Sequence, residues 1–444
     1  MKKHTIFVDV SLLKSNPYFR MVFIARLFSL LALGMLTVAV PLQVHSLTGS
    51  NFHVGIILAL DGAGMLVGLL LGGVLADRYE RRQLILTGRI ACALGFSALA
   101  INCYFASPSL LALYLLSLWS GFFGAIGITA LMAAIPLLVG RENLAKAGAL
   151  SMLTVRIGTV VSPLIGGMII AMADISWNYT AAAIGTFLTL IPLRRLPKMQ
   201  APKVAGESPL ASFVGGLTFI YGNNLVCGVA AIGLLDAVSK GVRVLFPALA
   251  IGQFGGGAFE LGLLFSAVPL GASLFAFTSG RMSELKRPGL TMILSSMLAF
   301  ATLGLLSIAS QLWAALLILG LYGYFGAISA LLQYTLIQGH TPTPLLGRSN
   351  SLWTAQNVAG DSLGALVVGS LNKLLSPASC ALLLGTVTTL GALTVCWRSK
   401  PLRRLRQTAR ENTQAGGEPG NSSAREAARP QLDPAAAEPD AKSM

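Results

Sequence analysis

The stretch "GGVLADRYERR" (Gly72–Arg82) decides how the whole chain is to be understood. A long apolar, glycine-spaced run ends there in five charges, Asp77, Arg78, Glu80, Arg81 and Arg82, and a second apolar run begins directly afterwards. A helix crossing ~30 Å of hydrocarbon has to end this way, because about 20 apolar residues span that thickness and charge returns only where water does. The stretch is a short turn between two membrane helices.

The rest of the chain repeats the pattern. Of its 444 residues, 54% are hydrophobic and only 11% charged, against about 25% charged in an ordinary soluble protein. Mean hydropathy is +0.72. Apolar runs of spanning length fall at about 21–44, 54–76, 84–105, 109–139, 147–173 and 177–193, and, after a polar break, at about 223–250, 259–280, 288–309, 312–338, 349–372 and 376–397. Strand-type alternation is absent, so helices must satisfy the backbone in lipid. The expectation is an all-α integral membrane protein of twelve transmembrane helices.

The net charge of +15 reports orientation, and nucleic-acid binding is not expected. With Lys2 in the cytoplasm and twelve crossings, the inward connections and tails carry Lys14, Arg20, Arg78, Arg81, Arg82, Arg141, Lys146, Arg194, Arg195, Lys198, Arg281, Lys286, Arg287, Arg348, Arg398 and Lys400. The outward loops carry one lysine, Lys373. This is the positive-inside bias at nearly full strength, with both termini cytoplasmic.

The break divides the chain. The expected organisation is a cytoplasmic segment 1–18, a six-helix bundle 19–193, a cytoplasmic linker 194–222 with a surface helix over 209–222, a second bundle 223–397, and a disordered cytoplasmic tail 398–444 that is rich in Pro, Ala, Glu, Gly and Ser toward its end. Leu144, Lys146, Leu150, Gly158 and Gly167 correspond to Leu346, Arg348, Leu352, Gly360 and Gly369. Such a repeat implies two pseudo-symmetric bundles related by an axis along the membrane normal, enclosing a central cavity. Small residues every fourth position (Gly64, Gly68, Gly72; Gly158, Ser162, Gly166; Gly360, Gly364) let helices approach closely. They serve as static packing and, compatibly with that, as seams along which the halves slide.

Within the opening stretch, Gly73, Asp77, Arg78, Arg81 and Arg82 resemble the loop motif of the major facilitator superfamily, with Glu80 where that family has glycine. The resemblance implies a gate: Asp77 faces a helix N-terminus of the other half, where the dipole favours an anion, and the latch breaks when the halves part. "GTVVSPLIGG" (Gly158–Gly167) resembles the fifth-helix motif of the superfamily's antiporters through Gly158, Pro163, Gly166 and Gly167, with Ser162 in place of a glycine. Proline there bends the helix. "SLLKSNPYFRMVFIAR", "GITALMAAIPLLVGREN", "MLTVRIG", "RVLFPALA" and "SLWTAQNVAGD" resemble the branch of the superfamily that exports enterobactin. This likeness implies the major facilitator fold and a bacterial inner-membrane protein, functional as a monomer. It also implies export of a catecholate siderophore by proton antiport.

Charges inside the spans mark the expected site, since each costs at least ~2.5–3.5 kcal/mol on insertion. They are Arg26, Asp61, Arg156, Asp236, Lys240, Arg243 and Asp361. Asp236, Lys240 and Arg243, at i, i+4 and i+7, share a helix face. That spacing lets Asp236 neutralise Lys240 and leave Arg243 for a ligand; an internal ion-pair network that only fixes packing is the other possibility. Basic groups outnumber acidic ones in this set, which suits an anionic ligand. Arg26, Arg156, Lys240 and Arg243 are the candidate ligand cations, with Gln356 and Asn357 as neutral hydrogen-bond partners and Trp119, Phe122, Phe123, Tyr322, Tyr324 and Tyr334 as candidate stacking or packing rings. Proton coupling needs a carboxylate whose pKa environment can alter it. Asp236 and Asp361 are the first candidates and Asp61 the third, with Asp61 also a possible partner of Arg26.

Five cysteines and four histidines form no metal spacing, and no zinc-protease, phosphate-cradling or nucleophile-elbow motif occurs. No enzyme activity, cofactor or ATP drive is expected. A multidrug exporter of the same fold shares these features. So, less well, does a non-transporting receptor or scaffold, against which the loop motif and the buried charges argue.

Overall fold

The structure, a computed structural model, describes residues 11–199 and 222–405, with the side chains of Asp77, Arg281, Ser283, Glu284 and Pro344 outside the described set. The surface helix expected over 209–222 and nearly all of the tail therefore lie outside the described residues, apart from Gly222 and the segment up to Leu405.

All regular secondary structure among the described residues is helical. After a short turn of helix (Ser11–Ser15) come twelve long helices: α1 Pro17–Thr48, α2 Asn51–Arg78, α3 Arg81–Tyr104, α4 Leu110–Val139, α5 Leu144–Met172, α6 Ile175–Leu193, α7 beginning at Asn224–Ser239, α8 Ala258–Thr278, α9 Pro288–Leu305, α10 Leu312–His340, α11 Leu346–Leu371 and α12 Pro377–Arg398. Ten are long and apolar enough to cross a membrane by length and composition. The other two are polar for structural reasons. In α6, Asn178 donates to Gly166 O (3.0 Å) and Tyr179 donates to Gln43 Oε1 (2.8 Å). In α11, Asn350, Gln356, Asn357 and Asp361 interrupt the apolar sequence.

The exposed surface is apolar, as lipid requires: Phe277 is 87% exposed and Leu111 65%. The turns are tight. Gly49 closes α1 at φ 62°, its N–H donating to His45 O, a left-handed conformation suited to glycine. The opening turn needs none. Glu80 takes φ −61° at the start of α3, so a side chain fits where the family has glycine.

α7 changes winding after Ser239. Lys240–Leu245 is a 3-10 segment, Phe246–Ala248 a single α turn and Leu249–Gln253 a π turn. The change begins at the charged residues.

In the first half, α2 packs on α4, α1 on α5 and α6, and α3 on α4 and α6. In the second, α8 and α9 pack on α10, α9 on α12 and α7 on α11. The halves meet through α2 with α11 and α5 with α8. The glycine rows seen in the sequence hold each half together. A Cβ at Gly64 or Gly68 would strike backbone of α4, one at Gly72 would strike Thr129 of α4, and one at Gly158 or Gly166 would strike α1. Gly360 and Gly364 face Ala237 and Val238 of α7. Ser162 is accommodated because Gly34 lies opposite; a Cβ there would stand 1.6 Å from Ser162 Oγ.

The contacts between halves use other positions. A Cβ at Gly55 would lie 2.6 Å from Ala365 O, one at Gly62 1.9 Å from Ser362 Oγ, and one at Gly262 2.7 Å from Pro163 O. All of these lie toward the start of α2 and α8 and the end of α5 and α11, away from the basic turns. At the other ends of these helices, or just past them, Gly73, Gly148, Gly280 and Gly347 have nothing among the described residues within 4 Å of a Cβ position. The halves close at the end carrying the α11–α12 turn and diverge toward the basic turns.

Gly364→Ala puts a Cβ 2.2 Å from Val238 O. It should cost about 1–3 kcal/mol through overpacking and lower the melting temperature of the purified protein in detergent. Gly124→Ala, with nothing within 4 Å, should leave it unchanged.

Candidate functional site

The polar face of α7 meets the polar face of α11 where their backbones touch. A Cβ at Gly241 would lie 2.4 Å from the Gly364 backbone. This approach brings Arg243 onto Asp361: Arg243 Nη2 donates to both carboxylate oxygens, at 2.5 and 2.6 Å. Arg243 Nε also donates to Lys240 O (3.3 Å), a contact of the 3-10 winding. The pair is 33% and 29% exposed, so it borders open space.

The pairing expected from spacing is therefore replaced. Arg243 is the neutralised cation. Lys240 donates to Asn357 Oδ1 (3.3 Å) and, among the described residues, has no carboxylate oxygen within ion-pair reach, although Asp361 and Asp236 act on it electrostatically. Asp236 points instead toward α9 and α10. It accepts from Ser329 Oγ (3.1 Å) and from Gln333 Nε2, and Ser329 is bonded to Ser296 (2.6 Å). Neutral donors on α10, which lies alongside, satisfy that carboxylate, and Lys240 acts on it electrostatically without a hydrogen bond among the described residues. Gln356 donates to Ala230 O (2.6 Å), which fixes its amide against α7.

Asp61 belongs to the other half. It is exposed, and it interacts electrostatically with Arg243 and Asp361. Its expected alternative partner, Arg26, is not among the groups acting on it. Arg26 is half-buried in α1, one turn before Leu30, which packs on Gly158 of α5. Arg156 is half-buried and stands seven and eleven residues before Pro163 and Gly167, the positions through which α5 meets α8. The helical repeat puts it on the same face, at the level where the two helices have diverged. No described contact joins Arg26 or Arg156 to the α7–α11 cluster.

Of the aromatic candidates, Trp119 donates to Ala91 O (2.8 Å) and packs on Phe123, so both are structural within the first half. Phe122 packs edge-on against Phe123. Tyr322 is bonded to Ser239 (2.7 Å), Tyr324 to Thr278 (3.0 Å), and Tyr334 packs on Trp353. Arg89 was missed by sequence reasoning, although an arginine eight residues into α3 was a visible signal. It is 5% exposed, and its Nε has no hydrogen-bond partner among the described residues.

In the charged turn, Arg81 Nη1 donates to Ala133 O of α4 (3.1 Å) and Arg82 Nη2 to Arg194 O at the end of α6 (2.7 Å). Both hold carbonyls within their own half. Arg78 is exposed.

A charged, hydrogen-bonded site on the second bundle, acted on by Asp61 of the first, within a twelve-helix membrane fold is the arrangement of a membrane transporter. The sequence model of the family described as transmembrane secretion effector matches residues 13–420, and the chain belongs to that family, within the major facilitator superfamily. It is 46% identical over 416 residues to Enterobactin exporter EntS of Escherichia coli O6:K15:H31, covering 94% of this chain and 100% of that one. It is 46% identical over 408 residues to the protein of that name from Salmonella typhimurium, covering 92% and 98%. Among solved structures, a POT family transporter in complex with 5-aminolevulinic acid superposes with a TM-score of 0.69 at 13% identity, covering 88% of this chain and 97% of that one. The nucleoside transporter NupG superposes at 0.69 and 10%, covering 87% and 99%. At that identity these structures share the fold.

Asp361→Asn leaves the Arg243 guanidinium without its counter-charge. Because the pair is about a third exposed, the loss should be about 1–3 kcal/mol, below the ~3–5 of a fully buried pair. Adding Arg243→Gln should recover part of it, as read by thermal unfolding in detergent.

Proposed function

We propose that this protein exports a catecholate siderophore such as enterobactin across a bacterial inner membrane, from cytoplasm to periplasm, by proton-coupled alternating access. In this reading it acts as a monomer with both termini cytoplasmic. The names of relatives that match along nearly their whole length support the cargo. The crowding of basic residues onto one set of turns supports the orientation.

The observation that carries the reading is Lys240. Its ammonium is held on Asn357 with no carboxylate in ion-pair contact, beside an arginine already neutralised. Asp361 and Asp236 act on the ammonium electrostatically without an ion-pair contact, and a cation so placed at that depth is costly unless an anion reaches it. Catechol oxygens, deprotonated or polarised, meet that need, with Asn357 and Gln356 as neutral neighbours. Arg26 and Arg156 supply positive charge from the opposite half, and Arg243 contributes to the field without being free for direct ligation.

Protons enter through carboxylates. Asp361 and Asp61 both act on Arg243, so protonating either changes the charge the cargo meets. Asp236, held by α10 donors, ties the same helix to α10 within the second bundle. Gly73, Asp77, Arg78, Arg81 and Arg82 form the gate on the cytoplasmic side. Gly158, Pro163, Gly166 and Gly167 shape the antiporter-type bend.

In an iron-starved, siderophore-producing cell lacking its own exporter, the wild-type protein should restore catecholate to the medium. Lys240→Gln should reduce this at least about tenfold, as expected for loss of a charged contact worth ~1.5–3 kcal/mol, and Lys240→Arg should retain more. Equal secretion by Lys240→Gln at equal membrane levels refutes the assignment. Altered drug tolerance without secretion favours a multidrug exporter. In inverted vesicles, replacing Asp61, Asp236 and Asp361 together with Asn should abolish proton-driven uptake. Retained uptake places the coupling elsewhere.

A further inference from the structure

One lysine breaks the charge rule of the sequence. Lys373, in the α11–α12 turn, is the single lysine or arginine in the turns opposite the basic ones, where the positive-inside bias disfavours it. In the structure its Nζ stands 3.4 Å from the centroid of the Phe52 ring, which belongs to α2 of the other half. The neighbouring residues pair as well: Asn51 Nδ2 donates to Asn372 Oδ1 at 2.8 Å. Asn372 is oriented by its own turn, its Nδ2 donating to Leu375 O (3.0 Å). Beneath these two contacts the backbones touch, since a Cβ at Gly369 would lie 3.0 Å from Asn51 O.

We propose that Lys373–Phe52 and Asn372–Asn51 are a latch that holds the two halves shut at the end opposite the basic turns, and that it must open for cargo to leave there. Lys373 is tolerated on this side because its charge rests on an aromatic face across the seam. Both contacts are made between halves, so they are lost when the halves part, whereas the glycine packing inside each half survives. Asn51 is 4% exposed, and its side chain also interacts with His45 of the same half. Nothing in the latch depends on the identity of the cargo.

The test is a cysteine reporter in the cavity, Asn357→Cys, labelled with a membrane-impermeant maleimide from each face separately, in spheroplasts and in inverted vesicles, against the parent protein lacking the reporter. Lys373→Gln and Phe52→Leu should each raise labelling several-fold from the side opposite the basic turns and lower it from the basic side. Lys373→Arg, which keeps a cation over the ring, should label like the parent. Asn51→Ala removes the hydrogen bond alone and should shift labelling in the same direction as Lys373→Gln, so one poorly folded variant does not decide the outcome. Unchanged labelling in Phe52→Leu and Asn51→Ala overturns the latch, as does a Lys373→Arg protein that labels like Lys373→Gln. Labelling needs no cargo, so failure of the siderophore reading leaves this result intact.

Discussion

The contact between α7 and α11 is the interaction on which the site depends. Gly241 and Gly364 let the two backbones touch. Only at that separation does Asp361 reach Arg243 with both oxygens and Asn357 reach Lys240. The 3-10 winding of Lys240–Leu245 assists, because three residues per turn stacks Arg243 over Lys240 and turns its guanidinium toward α11. A larger residue at either glycine would separate the helices and leave an arginine in the membrane interior without its counter-ion.

A second constraint is the division between contacts inside each half and contacts across them. Within halves, glycine rows press helices together along most of their length: α2 on α4, α1 on α5, α7 on α11. Across halves, close approach is confined to one end, at Gly55, Gly62 and Gly369 on one seam and Gly167 and Gly262 on the other. Two well-packed bodies joined at one end can rock about that end without unpacking. The charged site lies just inside the closed seam, where Asp61 from one half and Asp361 from the other both act on Arg243.

Much of this was legible beforehand. The charged turn at Asp77–Arg82 predicted a break between helices, and α2 and α3 end and begin there. The polar faces of α7 and α11 stood out because charge in hydrocarbon is rare enough to be a signal in itself. Which charges pair was not legible. Asp236 and Lys240 have the spacing of a helical ion pair, yet Asp236 accepts from Ser329 and Gln333 and Lys240 donates to Asn357. Neighbouring helices offered better geometry than a partner one turn away. Asp61 likewise had Arg26 as its nearest candidate by span order, but the packing of α2 on α11 put it beside Arg243. Arg89 was overlooked because one arginine barely dents the hydropathy of its run.

The sequence by itself determined that this is a polytopic helical membrane protein, which way its basic turns point relative to one another, and which side chains are too costly to sit in lipid. These follow from composition and from periodicity along one chain, and the solvent enforces them residue by residue. Only the tertiary structure decided which cation is neutralised, which glycines join the halves and which ring Lys373 rests on. Each of those depends on a distance between helices far apart in sequence, and such a distance is set by the packing of every side chain around it.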